Sequence, residues 1–134
     1  MTREDKQLLL VDLCARLPYA PICHITDENG ISIDEMLTTS TLSHLIDCGW
    51  SVKPYLRPLS SMTGEEQAEM KRLLSPNGTA IFEDNGIAIP MTHIGDFVPY
   101  DFMAKILAWL YAHDFDVSGL IEKGLALNRS ELSK

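Results

Sequence analysis

The sequence predicts an α+β domain: an antiparallel, hairpin-rich sheet with three or four helices packed on it. Three observations predict it. Two Asn-Gly pairs, Asn29-Gly30 and Asn85-Gly86, each lie between short runs rich in isoleucine, the pattern of a tight hairpin whose turn needs positive φ. Residues 50–57 alternate Trp50, Val52, Pro54 and Leu56 with Ser51, Lys53, Tyr55 and Arg57, which is strand periodicity. Two segments, near residues 8–17 and 103–110, instead carry apolar residues at helical spacing. A chain of 134 residues fits one domain and can bury roughly two-thirds of its unfolded surface. The domain is expected over residues 1–127, with 128–134 a polar C-terminal tail.

The first helix is capped by Thr2, and Glu4 and Asp5 fall in its first turn, where carboxylates favour the positive end of the helix dipole. Leu10, Leu13, Cys14 and Leu17 form its expected stripe, which Leu8 and Leu9 widen, and Pro18 stops it. The first hairpin runs Ile22–Ile25, turns through Asp27-Glu28-Asn29-Gly30, and returns through Ile31–Ile33. Leu42, Leu45 and Ile46 predict a short helix ending at Gly49. Pro54 has no N–H, so the strand around Trp50–Leu56 is expected at a sheet edge or bent at that point. Thr63-Gly64-Glu65-Glu66 is a capping box for a helix carrying Met70, Leu73 and Leu74 inward. A second hairpin spans Thr79–Ile89, and Pro90–Pro99 reads as a loop with room for one short strand. A further helix begins near Asp101, with Met103, Ile106, Leu107 and Leu110 on one face and Phe102 and Trp109 flanking it. Leu120–Gly124 predicts a short helix with a glycine stop.

The formal net charge of −8 disfavours nucleic acid, whose phosphates require clustered Lys and Arg, and disfavours an anionic membrane surface. A carboxylate array imitating nucleic acid is a separate possibility that such acidity permits. No run approaches the roughly 18 apolar residues that span a bilayer. The opening residues Met1–Lys6 mix both charge signs and do not form a signal peptide. The three cysteines, Cys14, Cys23 and Cys48, form no CxxC and are expected reduced, so a cytoplasmic protein is expected.

The residues that catalysis would need are mostly lacking in the right patterns. There is no G-x-S-x-G elbow, and neither phosphate-binding glycine motif is present, so no cofactor is expected. Cys23 and His24 are adjacent, and in a strand they point to opposite faces. His113, Asp114 and Asp116, with His93, are the nearest approach to a metal-ligand set and define one candidate function, a small metal-dependent hydrolase. The competing reading places His113 at a helix C-terminus, where partial positive charge is favoured. Paired carboxylates such as Asp34-Glu35 flank turns or helix starts, where solvation accounts for them.

Residues 53–63 differ in kind. Residues 49–75 are the only part of the chain that is not acidic: Lys53, Arg57, Lys71 and Arg72 stand against Glu65, Glu66 and Glu69, a net of +1. Tyr and Arg anchor protein interfaces, and Pro54 and Pro58 stiffen the segment that presents them. Lys53, Tyr55 and Arg57 are therefore the expected partner-binding residues. The bland alternative is a rigid crossover that places the capped helix. Two stretches, Lys53–Thr63 and Trp109–Leu127, with the opening Met1–Lys6, resemble an uncharacterised protein family of gut bacteria and their phages and mobile elements. The resemblance implies a phage- or mobile-element-related role and carries no activity or catalytic residue. The expectation is a non-enzymatic module that binds a protein partner or itself, with no nucleic acid and no membrane.

Overall fold

The computed structural model describes residues 2–74, 81–83, 86–88 and 100–132. Among these the fold is α+β, with four α-helices, a four-stranded mixed sheet and a separate two-stranded hairpin. No helix of the described residues is long and apolar enough to cross a membrane. The chain divides into two compact units, one of Met1–Arg57 with Ser118–Lys134 and the other of Pro58–Val117.

In the first unit, helix α1 (Arg3–Arg16) starts at a capping box in which Thr2 accepts from the Asp5 amide and Asp5 reaches back to the Thr2 amide. Its buried stripe is Leu9, Asp12, Leu13 and Arg16, spaced i, i+3, i+4 and i+7. This differs from the expected stripe: Cys14 is exposed, and Leu10 and Leu17 are only partly buried. The stripe turned because two of its members are charged and pair with each other. The Arg16 guanidinium donates to both Asp12 carboxylate oxygens, at 2.6 and 3.3 Å, with both side chains essentially inaccessible. An i, i+4 pair lets a helix bury two charges that would be prohibitive singly.

Strands β1 (Ile22–Thr26) and β2 (Ser32–Met36) form the first hairpin, antiparallel from Ile22↔Met36 to Thr26↔Ser32. Gly30 takes φ +82°, and the Asp27 carboxylate accepts from the amides of Asn29 and Ile31. Helix α2 (Thr39–Asp47) is capped by Thr38 and buries Leu42 and Leu45, while Ile46 faces solvent; Gly49 follows it at φ +70°. Strand β3 (Ser51–Leu56) pairs antiparallel with β1, and β4 (Leu127–Asn128) pairs parallel with Tyr55 and Leu56, so the order is β2-β1-β3-β4. Asn128, expected in a polar tail, is thus a sheet residue, and its side chain caps a 3₁₀ turn over Arg129–Glu131.

Pro54 lies inside the sheet by strand order, yet no hydrogen bond is missing there. The Asp27 amide donates to the Ile31 carbonyl, and the Leu37 amide to the Pro21 carbonyl. Antiparallel bonding alternates, so Ile33 and Glu35 bond to β1, and β1 turns the amides of His24 and Thr26 toward β3. Cys23↔Pro54 is then a non-hydrogen-bonded pair. The missing N–H faces the β4 side, where pairing starts one residue later, at Tyr55.

The core of this unit joins Leu9 and Leu13 of α1, Leu42 and Leu45 of α2, Cys23, Ile25, Val52 and Leu56 of the sheet, and Leu120, Leu125 and Ala126. Residues 120–125 form turns in place of the expected short helix, but the expected glycine stop is present. Gly124 takes φ +74° and donates to Ile121, while the Leu125 amide donates to the Leu120 carbonyl.

The second unit contains helix α3 (Gly64–Leu74), strands β5 (Ile81–Glu83) and β6 (Gly86–Ala88), and helix α4 (Tyr100–Ala112). The capping box at α3 forms as expected: the Thr63 amide donates to Glu66 and the Glu66 amide to the Thr63 hydroxyl. Strands β5 and β6 pair antiparallel from Ile81↔Ala88 to Glu83↔Gly86, as the second Asn-Gly turn predicts. The expected loop at Pro90–Pro99 lies outside the described residues. Met62, Met70, Trp109, Leu110 and Phe115 are buried together, with Leu59, Ile106 and Val117 against them; Leu107, expected inward, is exposed.

Candidate functional site

The sheet of the first unit has two unlike faces. Cys23, Ile25, Val52, Pro54 and Leu56 enter the core, so strand alternation places His24 and Thr26, Ser32, Asp34 and Met36, and Lys53 and Tyr55 on the other face. This second face carries a polar cluster centred on Asp34. His24 and Asp34 are cross-strand partners at a non-hydrogen-bonded pair, the closest-spaced kind, and His24 Nδ1 lies 2.9 Å from Asp34 Oδ1. The Tyr55 hydroxyl donates to the same oxygen, also at 2.9 Å, having crossed β1 to reach it. The His24 and Tyr55 rings meet edge to face at 6.4 Å. One pair further along, the Thr26 and Ser32 hydroxyls bond at 2.7 Å.

The electrostatics follow from this geometry. The hydrogen bond from His24, then that from Tyr55, holds the Asp34 carboxyl below the usual aspartate range. Tyr55 is pushed the other way, first by burial, then by its bond to Asp34 and by the negative charges of Asp34 and Glu131. Asp34 is thus an anion at neutral pH, and Tyr55 a fixed neutral donor. The side chains of His24 and Asp34 remain 37% and 43% exposed.

The three expected partner-binding residues are placed unequally. Tyr55 is only 7% exposed and its hydroxyl is committed to Asp34, so it braces the sheet face instead of standing out as an anchor. Lys53 is half-buried, opposite His24 in register, and Arg57 is half-buried just beyond β3. The most exposed part of the sheet is β2, exposed at every position, with Ile33 at 51% and Met36 at 59%. It occupies the end of the strand order, and among the described residues it pairs only with β1. Because Ile33 and Glu35 bond inward, the amides and carbonyls of Ser32, Asp34 and Met36 point off this edge.

The residues of the hydrolase reading lie at a helix stop in the second unit. His113 Nδ1 donates to the Trp109 carbonyl at 2.8 Å, and its ring stacks on that indole at 4.0 Å. Asp114 adopts φ +63°; its amide donates to the Tyr111 carbonyl and that of Phe115 to Leu110. This is the Schellman arrangement, with an aspartate at the left-handed position usually held by glycine. Phe115 and Leu110 complete it by packing in the core. Asp116 is half-buried beyond the stop, and His93 lies outside the described residues. Among the described residues no three of His, Cys, Asp and Glu are grouped as a metal site would require.

A second histidine cluster lies near the turn: His44 stacks on Trp50 at 4.0 Å and donates through Nδ1 to the Ser40 carbonyl, while the Trp50 indole donates to Glu28. It ties α2 and the entry to β3 to the first turn.

Sequence reasoning missed the Asp34 cluster by treating Asp34-Glu35 as a solvated run. The turn alone did not give it: a two-residue Asn29-Gly30 turn would set His24 opposite Glu35, whereas the register that forms is centred on Asn29, so that His24 and Asp34, each five residues from it, face each other. Comparison of the chain with protein-family models, with curated proteins and with solved structures finds no match.

Proposed function

We propose that the protein is a non-enzymatic interaction module that takes an extended segment of a partner onto the free edge of β2. The observation carrying this reading is the edge itself. Three outward backbone positions, Ser32, Asp34 and Met36, alternate with exposed Ile33 and Glu35 along a strand that, among the described residues, pairs on one side only. An added strand gains main-chain hydrogen bonds from the first set and side-chain contact from Ile33 and Met36. Natural sheets cover, shorten or twist away free edges that have no use. The Asp34 cluster supports the reading, because Tyr55 and His24 hold β2 from beneath across two strands. A strand pinned in register loses less entropy when a partner adds to it. The module is assigned to the cytoplasm, on its reduced cysteines, and to a mobile-element-related role on the resemblance alone.

The test is selection of short peptides from a random display library on the purified protein, followed by mapping of the bound peptide through backbone amide shifts. Peptides that perturb Ser32, Asp34 and Met36 together support the reading. Selection that yields no binder, or binders mapping away from β2, overturns it.

A further inference from the structure

We infer that the β2 edge selects a basic extended segment from another protein, with two adjacent Lys or Arg residues between apolar ones, and rejects a second copy of this chain. The inference rests on the edge-binding reading and adds the chemistry of the occupant. Along β2 the order is Ile33, Asp34, Glu35, Met36, so each sheet face presents one apolar residue and one acid beside it. A strand laid against this edge places its own side chains opposite these four in turn. Two basic residues opposite Asp34 and Glu35, flanked by apolar residues opposite Ile33 and Met36, match all four positions in either strand direction.

A second copy of β2 cannot match them. In antiparallel pairing outward backbone groups must meet outward ones, so a register centred on Asp34 or on Glu35 sets that acid against itself, and in parallel pairing, which offsets the copies by one residue, Asp34 faces Glu35. Like charges directly opposite on neighbouring strands are destabilising. The groups around the edge do not reverse this. Asp27 and Glu28 add acids in the turn, β2 carries no base, and His24 on β1 already bonds to Asp34. The same acids that keep the edge from pairing with copies of itself therefore make it receptive to a cationic strand.

Four capped peptides of equal length test this, each titrated against the full chain by calorimetry. Three share one frame and differ at the centre: valine-lysine-lysine-valine, the same with two glutamines, and the same with two glutamates. The fourth copies residues 30–37. The lysine peptide is expected to bind at least about tenfold more tightly than the glutamate peptide and to weaken as salt is raised. Glu35→Gln is expected to weaken the lysine peptide by about 1.5–5-fold. Glu35 is exposed and outside the Asp34 cluster, so this variant keeps the fold. Equal binding of the lysine, glutamine and glutamate peptides would leave the edge reading standing and overturn the charge selection. Tightest binding by the copy of residues 30–37 would overturn the rejection of a second copy. Failure of all four to bind would overturn the edge reading, and this inference with it.

Discussion

Tyr55 on β3 donates its hydroxyl to Asp34 on β2, two strands away, across the intervening β1. The contact ties the edge strand to the sheet interior, and it makes the protonation of Asp34 a property of the sheet. Because His24 is the larger of the two hydrogen-bonding influences on that carboxyl, replacing His24 with phenylalanine should raise the Asp34 pKa more than Tyr55→Phe does. Carbon-detected NMR titration of the Asp34 carboxyl in both variants measures the order directly.

Two pH effects follow, with opposite signs. Asp34 titrates lower in the folded chain than in the unfolded one, so its contribution is complete above the ordinary aspartate range and is lost as pH falls through the depressed value. Tyr55 titrates higher when folded, so its contribution is complete below the ordinary phenol range and is lost as pH rises through the raised value. Denaturant unfolding across pH should therefore show an acid limb flattened most by Asp34→Asn and an alkaline limb flattened most by Tyr55→Phe, each change also reducing the other limb in part because each group helps to hold the other's shift.

The buried pair on α1 should be sensitive to the loss of one partner and tolerant of the loss of both. Asp12→Ala leaves the inaccessible Arg16 guanidinium without its carboxylate and should cost about 3–5 kcal/mol. Joint replacement by Asp12→Leu and Arg16→Met should cost far less, because apolar groups of similar size fill the space without desolvating charge. Equilibrium urea unfolding of the single and double variants makes the comparison.

Thr63→Ala removes one half of the capping box of α3 and should destabilise that helix by about 0.5–2 kcal/mol. Thr63→Ser should restore most of the loss, since the hydroxyl is what accepts from the Glu66 amide. Thermal unfolding followed by circular dichroism distinguishes the two variants.

Local chemistry was the legible part of the sequence. The Thr2 and Thr63 caps, the turn at Asn29-Gly30 and the glycine stop at Gly124 depend on residues within a few positions of one another, and each appears where its signature places it. What depends on pairing across distance was less legible. The stripe of α1 could not be read as Leu9, Asp12, Leu13 and Arg16 while charges were assumed to face solvent; the i, i+4 match of Asp12 with Arg16 offsets the cost of their burial. Pro54 suggested an edge or a bend, and its interior position became intelligible only with the register, which aims its missing donor away from β1. Tyr55 and Arg57 read as a presented pair because alternation gives the face of a side chain and not its depth. Asp34 looked like half of a solvated run because its partners, His24 and Tyr55, are 10 and 21 residues away.

The central claim is that the outer edge of β2 is a backbone docking site, and amide hydrogen exchange at Ser32, Asp34 and Met36 tests it most directly. In the free protein these three amides should exchange fast while those of Ile33 and Glu35, bonded to β1, exchange slowly. With the lysine peptide bound, all three should become protected together. Exchange at Ser32, Asp34 and Met36 that stays fast with peptide bound would contradict the claim.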